Sequence, residues 1–520
     1  MNGLKIFHID FNTAFFRMDY LKGFIRDLRS WGYDALLWEL EDFVRWESVP
    51  MCRQTDSVGK REFRELLDFA RDLGFENIPL LQCLGHCEYV LSHPEYARFA
   101  DTPGALSPYC PSRAEVREFL GTWLAEYLSL FSESRFFHLG CDEVWHLGEV
   151  CPRCKSRLAT GKKGELMAEH INFLARIVRR AGKRPVIWAD MLLIHPEMSE
   201  ILSRDIVLAD WRYELRSNRP DLWLWDEKGG RLTDENGITE EVRRRFGKYL
   251  RDAEGRINPF YTTDFLLDQG FSVICAGSSS SYPDNFLLGN ASAHIHNCCS
   301  MMKKGGAGLG YLHTSWTVHL FPYELQPAIE IVSPSKPCET VMDDYAEKHF
   351  GIAGEDFFEA LDVFAPRVLF SGAESTGCGK AVKIPPAGIV RQRLREYHDA
   401  GILESELTRA RECRDEFAEA VEELRRLRGS ILRGWDLFDL YLLAAEALLN
   451  RVEFAVLAAS EFLGLPCRIG RERIQTELLR LRDRYLAEYL RRQTPEHARR
   501  MTAILFDPLL EYLDVTAPKP

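Results

Sequence analysis

Residues 4–40, LKIFHIDFNTAFFRMDYLKGFIRDLRSWGYDALLWEL, decide how this chain folds. LKIFHIDF at 4–11 is a short, β-prone run, and ALLWEL at 35–40 repeats that character. Between them, YLKGFIRDLRSWG puts apolar residues at i, i+3 and i+4, the spacing of one helix face. It stops on Gly32 just before the next strand, a helix-end signal. Alternation of this kind builds a parallel sheet covered by helices.

The unit recurs. Further strands are expected at 77–84 (NIPLLQCL), 135–141 (RFFHLGC), 184–190 (RPVIWAD), 205–211 (DIVLADW), 271–277 (FSVICAG) and 308–316 (GLGYLHTSW). Helix-period stretches lie between them, such as REFRELLDFARDLG, AEVREFLGTWLAEYLSLF and AEHINFLARIVRRAG. Eight repeats over ~330 residues have the count and length of a (β/α)8 TIM barrel. An open doubly wound sheet fits less well, because no Gly-rich phosphate turn follows the first strand. The sixth unit carries a charged insertion at about 214–258, with DLWLWDEKGG and an expected helix in TEEVRRRFGKYLRD. After SPSKP, near residue 335, strand signals cease. Long amphipathic stretches such as LTRARECRDEFAEAVEELRRLRG predict an all-α C-terminal domain over 336–520, behind a barrel domain of 1–335. Nothing in the helical part looks catalytic; barrel support or a homodimer interface is the expected role.

Composition narrows the function. The 520 residues carry 66 basic and 78 acidic side chains, net −12, which argues against nucleic acid as the main partner. No apolar stretch approaches the ~18 residues that span a membrane. The opening MNGLKIFHID reads as a strand rather than an export signal, since His8 and Asp10 interrupt its apolar run. Fourteen cysteines without an export signal fit reduced thiols and a cytoplasmic location.

In such barrels chemistry sits where strands end and βα-loops begin. Those points gather His8, Asp10, Glu39, Glu41, Asp42, His86, Asp142, Glu143, Trp188, Asp190, Trp211, Tyr213, Tyr282, Asp284 and Trp316. Singly, each has a structural explanation: core tryptophan, satisfied histidine, solvated carboxylate. Together they make a carboxylate-rich rim with three strand-end tryptophans and no phosphate loop or HExxH metal motif. Tryptophan faces pack on pyranose rings, and carboxylates accept hydrogen bonds from hydroxyls, so the rim suits a sugar. In RFFHLGCDEVWHLGE (135–149) two carboxylates, Asp142 and Glu143, stand side by side. Successive strand residues point to opposite faces, so the two share a pocket only if the strand ends at about Cys141–Asp142. Mutual repulsion raises one pKa, which suits a general acid for glycoside cleavage. The competing reading is the start of a helix cap.

FHLGCDEV at 137–144 resembles the H-x-G-x-D-E signature of glycoside hydrolase family 20, the β-N-acetylhexosaminidases. IPLLQCLGHCEYVLSHPEYA (78–97), VIWADM (186–191), SYPDN (281–285) and TSWTVHLFPYELQP (314–327) extend the resemblance over roughly residues 4–330. LLQCLGHCEYVL and HLGCDEVWHLGE look most like the intracellular hexosaminidase D branch. The resemblance implies an exo-acting, retaining hydrolase that removes terminal β-linked GlcNAc or GalNAc. In it, Glu143 is the acid and later the base. Asp142 orients the substrate's 2-acetamido group, whose carbonyl oxygen is the nucleophile. Tyr282 binds that oxygen, and Asp284 and Glu324 bind sugar hydroxyls. Trp188 and Trp316 wall the subsite, Trp211 contributes to substrate binding, and His86 lies in the loop that meets the acid. The family's arginine at the end of the first strand is replaced here by His8 and Asp10, which leaves the choice at C4 open. Two alternatives remain. One is another barrel glycosidase with a direct nucleophile such as Glu39 or Asp284; the other is a non-catalytic sugar-binding protein.

The chemistry implied needs no metal or cofactor. CPRC at 151–154 is nevertheless half of a zinc knuckle, for which Cys110, Cys87 and His146 are the candidate completing ligands. A reduced pair in a tight proline turn is the plainer reading.

Overall fold

A computed structural model of the chain describes residues 3–12, 14–213, 222–226, 228–278, 291–316, 337–365, 368–370 and 386–514. All eight expected strands form: β1 (Leu4–Asp10), β2 (Ala35–Glu39), β3 (Glu76–Leu80), β4 (Phe136–His138), β5 (Arg184–Trp188), β6 (Val207–Trp211), then β9 (Ser272–Ser278) and β10 (Gly310–Thr314). Between the sixth and seventh barrel strands lies an antiparallel hairpin, β7 (Leu222–Asp226) and β8 (Gly229–Thr233). The barrel closes in the order β1-β10-β9-β6-β5-β4-β3-β2, with every pair parallel. The (β/α)8 barrel read from the repeats is therefore the fold.

Strands of a closed parallel barrel are covered on both faces, and their composition follows from that. Every residue of β2 is buried, and Leu36 and Trp38 are wholly inaccessible. Each such side chain stabilises the fold by about 1.5–3 kcal/mol. The helices between strands bury one stripe; Lys60–Asp72 buries Phe63, Leu66, Leu67 and Ala70.

The insertion differs from its reading in one respect. DLWLWDEKGG supplies strand, not only charged loop, while the helix expected after it runs Glu240–Phe246 and then tightens to a 3-10 turn at Gly247–Tyr249. Arg212, buried, fastens the hairpin to the end of β6: its Nη1 donates to the Trp223 carbonyl at 2.6 Å and its Nε to Thr262 Oγ1 at 3.2 Å. Trp225 meets Trp211 edge to face at 5.0 Å. The hairpin thus sits on the end of the barrel where the strands finish.

The chain divides into two compact units. The first holds all eight barrel strands and the hairpin. The second takes in Thr13–Leu21 and the helices beyond Ser315, among them Leu403–Arg428, Trp435–Phe462, Arg471–Arg492 and Pro495–Asp514. Leu407, Ala410, Phe417, Val421 and Leu424 form the buried stripe of the first of these, at helical spacing. The boundary expected at 335/336 falls outside the described residues. No helix among the described residues is long and apolar enough to cross a membrane.

Candidate active site

The site is built where β3 and β4 end. β4 stops at His138, earlier than the sequence reading placed it, but its ladder continues in single bonds: Leu139 N–H to Val186 O at 2.8 Å, and Trp188 N–H to Gly140 O at 3.1 Å. Then the backbone turns left-handed at Gly140 (φ 64°), Cys141 (φ 72°) and again at Glu143 (φ 50°). Such conformations cost about 1–3 kcal/mol each for side-chain-bearing residues and persist where the surroundings impose them. Here they cancel the strand's alternation and send two consecutive carboxylates to one place.

That place is the ring of His86, itself left-handed at φ 50°. Its Nε2 lies 3.2 Å from Asp142 Oδ2 and 3.1 Å from Glu143 Oε2. The Asp142 side chain is 10% exposed and that of Glu143 35%, so one carboxyl is sunk and the other faces solvent. Because a single nitrogen reaches both, no pyranose ring fits between these two oxygens. The loops also meet through backbone: a Cβ on Gly85 would stand 2.1 Å from the Asp142 carbonyl oxygen, which only glycine permits.

From the next strand, Asp190 Oδ2 accepts the Glu143 N–H at 2.9 Å, and Met191 Sδ accepts the Val144 N–H at 3.3 Å. Asp190 is fully buried. Burial first, then the negative charge of Asp142, push its carboxyl up to about 8, so it is protonated at neutral pH. This seat for Glu143 was missed by sequence reasoning; Asp190 stood on the rim, but nothing in VIWADM said which backbone it would hold. His138 is inside the barrel, its ring 4.6 Å from that of Trp188. Burial pulls its pKa down to about 3. Its Nδ1 accepts the Gly140 N–H at 3.0 Å, which puts the proton of the neutral ring on Nε2. It is a positioning residue for the turn.

A second acidic group lies at the ends of β1 and β2. Glu39 is held at both oxygens, by His8 Nε2 at 3.0 Å and by Gln82 Nε2 at 3.0 Å. Glu41 is left-handed (φ 42°) and accepts from Asn12 Nδ2 at 3.1 Å. Burial, then Glu39, then Asp10, hold its carboxyl well above the usual range. Asp10 Oδ1 accepts the Asn12 N–H at 2.7 Å. Glu39, a candidate direct nucleophile, is thus buried with both oxygens occupied.

Of the other sequence-predicted residues, Trp188 is buried at 1% exposure. Trp211 is half-buried and stacks on Tyr213 at 5.1 Å. Trp316 is half-buried two residues past β10. Tyr282, Asp284 and Glu324 lie outside the described residues. Trp145, 40% exposed, was not among the candidates; its ring stands against Gly229 of the hairpin and its carbonyl accepts Lys163 Nζ at 3.2 Å.

Residues 14–222 match the family model described as glycosyl hydrolase family 20, catalytic domain. Over 198 residues, 37% of this chain, the sequence is 30% identical to human Hexosaminidase D and 28% identical to the bovine protein of that name. The aligned stretch spans 41% and 57% of those two relatives. Among solved structures, Flavobacterium johnsoniae chitobiase is similar at 14% identity and a TM-score of 0.47, covering 96% of this chain and 78% of that one. Over residues 14–222, which hold the D-E pair just past the fourth barrel strand, this chain is thus similar to the catalytic domain of glycosyl hydrolase family 20.

Proposed function

We propose that the chain is a glycoside hydrolase, an exo-acting and retaining β-N-acetylhexosaminidase that removes terminal β-linked GlcNAc or GalNAc by substrate-assisted catalysis. The observation that carries the reading is the asymmetric pair on His86, with Glu143 open to solvent and Asp142 sunk beside it. Glu143 donates a proton to the departing glycosidic oxygen and later takes one from water. Asp142 accepts a hydrogen bond from the acetamido N–H, which turns the carbonyl oxygen toward the anomeric carbon and offsets the positive charge of the oxazolinium that forms. Sharing one imidazole nitrogen, the two carboxyls cannot bracket a sugar from opposite faces, which supports an internal nucleophile over Asp142 itself. Trp188, Trp211, Trp316, Tyr282, Asp284 and Glu324 complete the sugar site in this reading.

No disulfide is formed by the twelve cysteines recorded among the described residues, which fits a cytoplasmic enzyme. The helical region then supports the barrel or pairs two copies.

A panel of aryl β-glycosides tests the proposal. Glycosides of GlcNAc and GalNAc should be cleaved at least ~10³-fold faster than those of glucose and galactose, because the latter lack the nucleophile. Equal cleavage of both kinds would favour a direct carboxylate nucleophile, and tight sugar binding without turnover a non-catalytic role.

A further inference from the structure

The CPRC motif plays no part in this chemistry, yet the structure builds something around it. Cys151 caps the helix Pro152–Leu158 and Cys154 lies in its first turn, so both sulfurs project to one side. Across from them the β3 loop doubles back on itself. Ala100 and Tyr109 form a bridge, Cys110 N–H donates to Phe99 O at 2.8 Å, and Asp101 N–H donates to Pro108 O at 2.9 Å. This pairing sets Asp101 and Cys110 side by side. The sulfur of Cys110 stands 3.5 Å from that of Cys151 and 3.6 Å from that of Cys154. One ligand atom from each of Asp101, Cys110, Cys151 and Cys154 lies within 4.8 Å of all the others, and all four residues are buried.

We propose that Cys110, Cys151, Cys154 and Asp101 bind one structural zinc ion, which ties the β3 loop to the β4 loop. The sulfur separations are far beyond a disulfide's ~2.05 Å. They match the edge of a tetrahedron: with zinc–sulfur bonds of about 2.3 Å, neighbouring sulfurs stand about 3.8 Å apart. Sulfurs this close share one metal atom rather than span an iron–sulfur cluster. Three soft thiolates joined by one hard carboxylate in a closed four-ligand shell suit zinc better than copper(I) or magnesium.

The carboxylate is the independent sign of a cation. Asp101 is completely buried; its Oδ2 accepts the Gly148 N–H at 2.7 Å, while its Oδ1 has no hydrogen-bond partner among the described residues. No lysine, arginine or histidine among the described residues pairs with it. A buried carboxylate facing three sulfurs is costly unless a positive charge answers it. Binding releases the three thiol protons to solvent and leaves the site with a net charge of −2.

Cys87 and His146, the other completing ligands the sequence offered, are elsewhere. Cys87 points at the carbonyls of Leu84 and Leu106, and His146 is an exposed partner of Glu149. Asp101 had no motif to announce it. All four ligand positions are filled by protein, so the ion has no open site for substrate. Its effect is on the loops: one carries His86 and the other Glu143 and Trp145.

The test is metal content of the full chain, expressed with zinc in the medium and desalted in reductant. Plasma mass spectrometry should find about one zinc per chain. Cys110→Ser and Cys154→Ser should lose most of it, and Cys87→Ser should keep it. If the variants do not fold, the wild-type chain decides. Stripped with chelator and titrated with cobalt(II) alone, it should develop thiolate-to-cobalt charge transfer and the intense visible bands of a tetrahedral site, saturating at one equivalent. A purified chain without zinc that shows no such bands overturns the proposal. So does zinc retained equally by both serine variants, or a disulfide among the three cysteines in the reduced protein.

Discussion

Asp190→Asn isolates one consequence of the site's burial. In the folded protein Asp190 holds its proton up to about pH 8, against an ordinary 3.8. The unfolded chain therefore ionises this group between pH 4 and 8 while the folded chain does not. A folded-state pKa raised in an acid gives stability that is complete below the unfolded value and is lost as pH rises toward the folded one. One proton's difference makes the wild type lose about 1.4 kcal/mol per pH unit over that window, relative to a chain without the group. Asparagine cannot ionise, and its carbonyl still accepts the Glu143 N–H. The variant should match the wild type near pH 4 and exceed it by about 3–5 kcal/mol at pH 8, after which the gap levels off. Urea unfolding followed by circular dichroism at half-unit steps from pH 4 to 9 measures the difference directly, because other titrating groups cancel between the two proteins. Parallel profiles, or a gap that closes as pH rises, would refute the claim that Asp190 is neutral beneath the Asp142–Glu143 pair.

The remaining predictions concern the pair and its seat. Glu143→Gln should slow alkyl and oligosaccharide substrates by about 10²–10⁴-fold and activated aryl glycosides far less, since their departure needs little protonation; steady-state rates across leaving groups check this, and equal losses would remove Glu143 as the acid. Asp142→Asn should cut kcat strongly while the unfolding midpoint stays near that of the wild type, and unchanged kcat would deny it a part in orienting the acetamido group. Gly85→Ala forces a methyl toward the Asp142 carbonyl and should destabilise by about 1–3 kcal/mol, with lowered kcat, in thermal unfolding and rate assays; a silent substitution would mean the two loops do not meet there.

Much of this molecule was written in short-range pattern. Strand runs separated by helix-period stretches gave eight barrel strands, because strands covered on both faces must be apolar throughout and their helices must bury one stripe. The insertion hairpin escaped because DLWLWDEKGG mixes charge with tryptophan, and its partner strand reads GGRLT, a sequence without β-branched or aromatic bulk before its final threonine. At the site, residue identity carried the D-E pair and His86 but not their geometry. The left-handed turns at Cys141 and Glu143 are imposed on residues that do not prefer them, so no propensity foretells them. Asp190 and Asp101 act through loops that meet only in the folded barrel, and each is an ordinary aspartate until its neighbours are known.

The central claim, that the substrate's own acetamido oxygen is the nucleophile, is tested most directly by fluorinating that group. Aryl glycosides of GlcNAc bearing acetyl, monofluoroacetyl, difluoroacetyl and trifluoroacetyl amides leave the leaving group and ring unchanged while draining electron density from the carbonyl oxygen. The account predicts that kcat/KM falls at every added fluorine, by orders of magnitude across the series. A rate that stays flat from acetyl to trifluoroacetyl would mean the oxygen does not attack, and a carboxylate of the protein does.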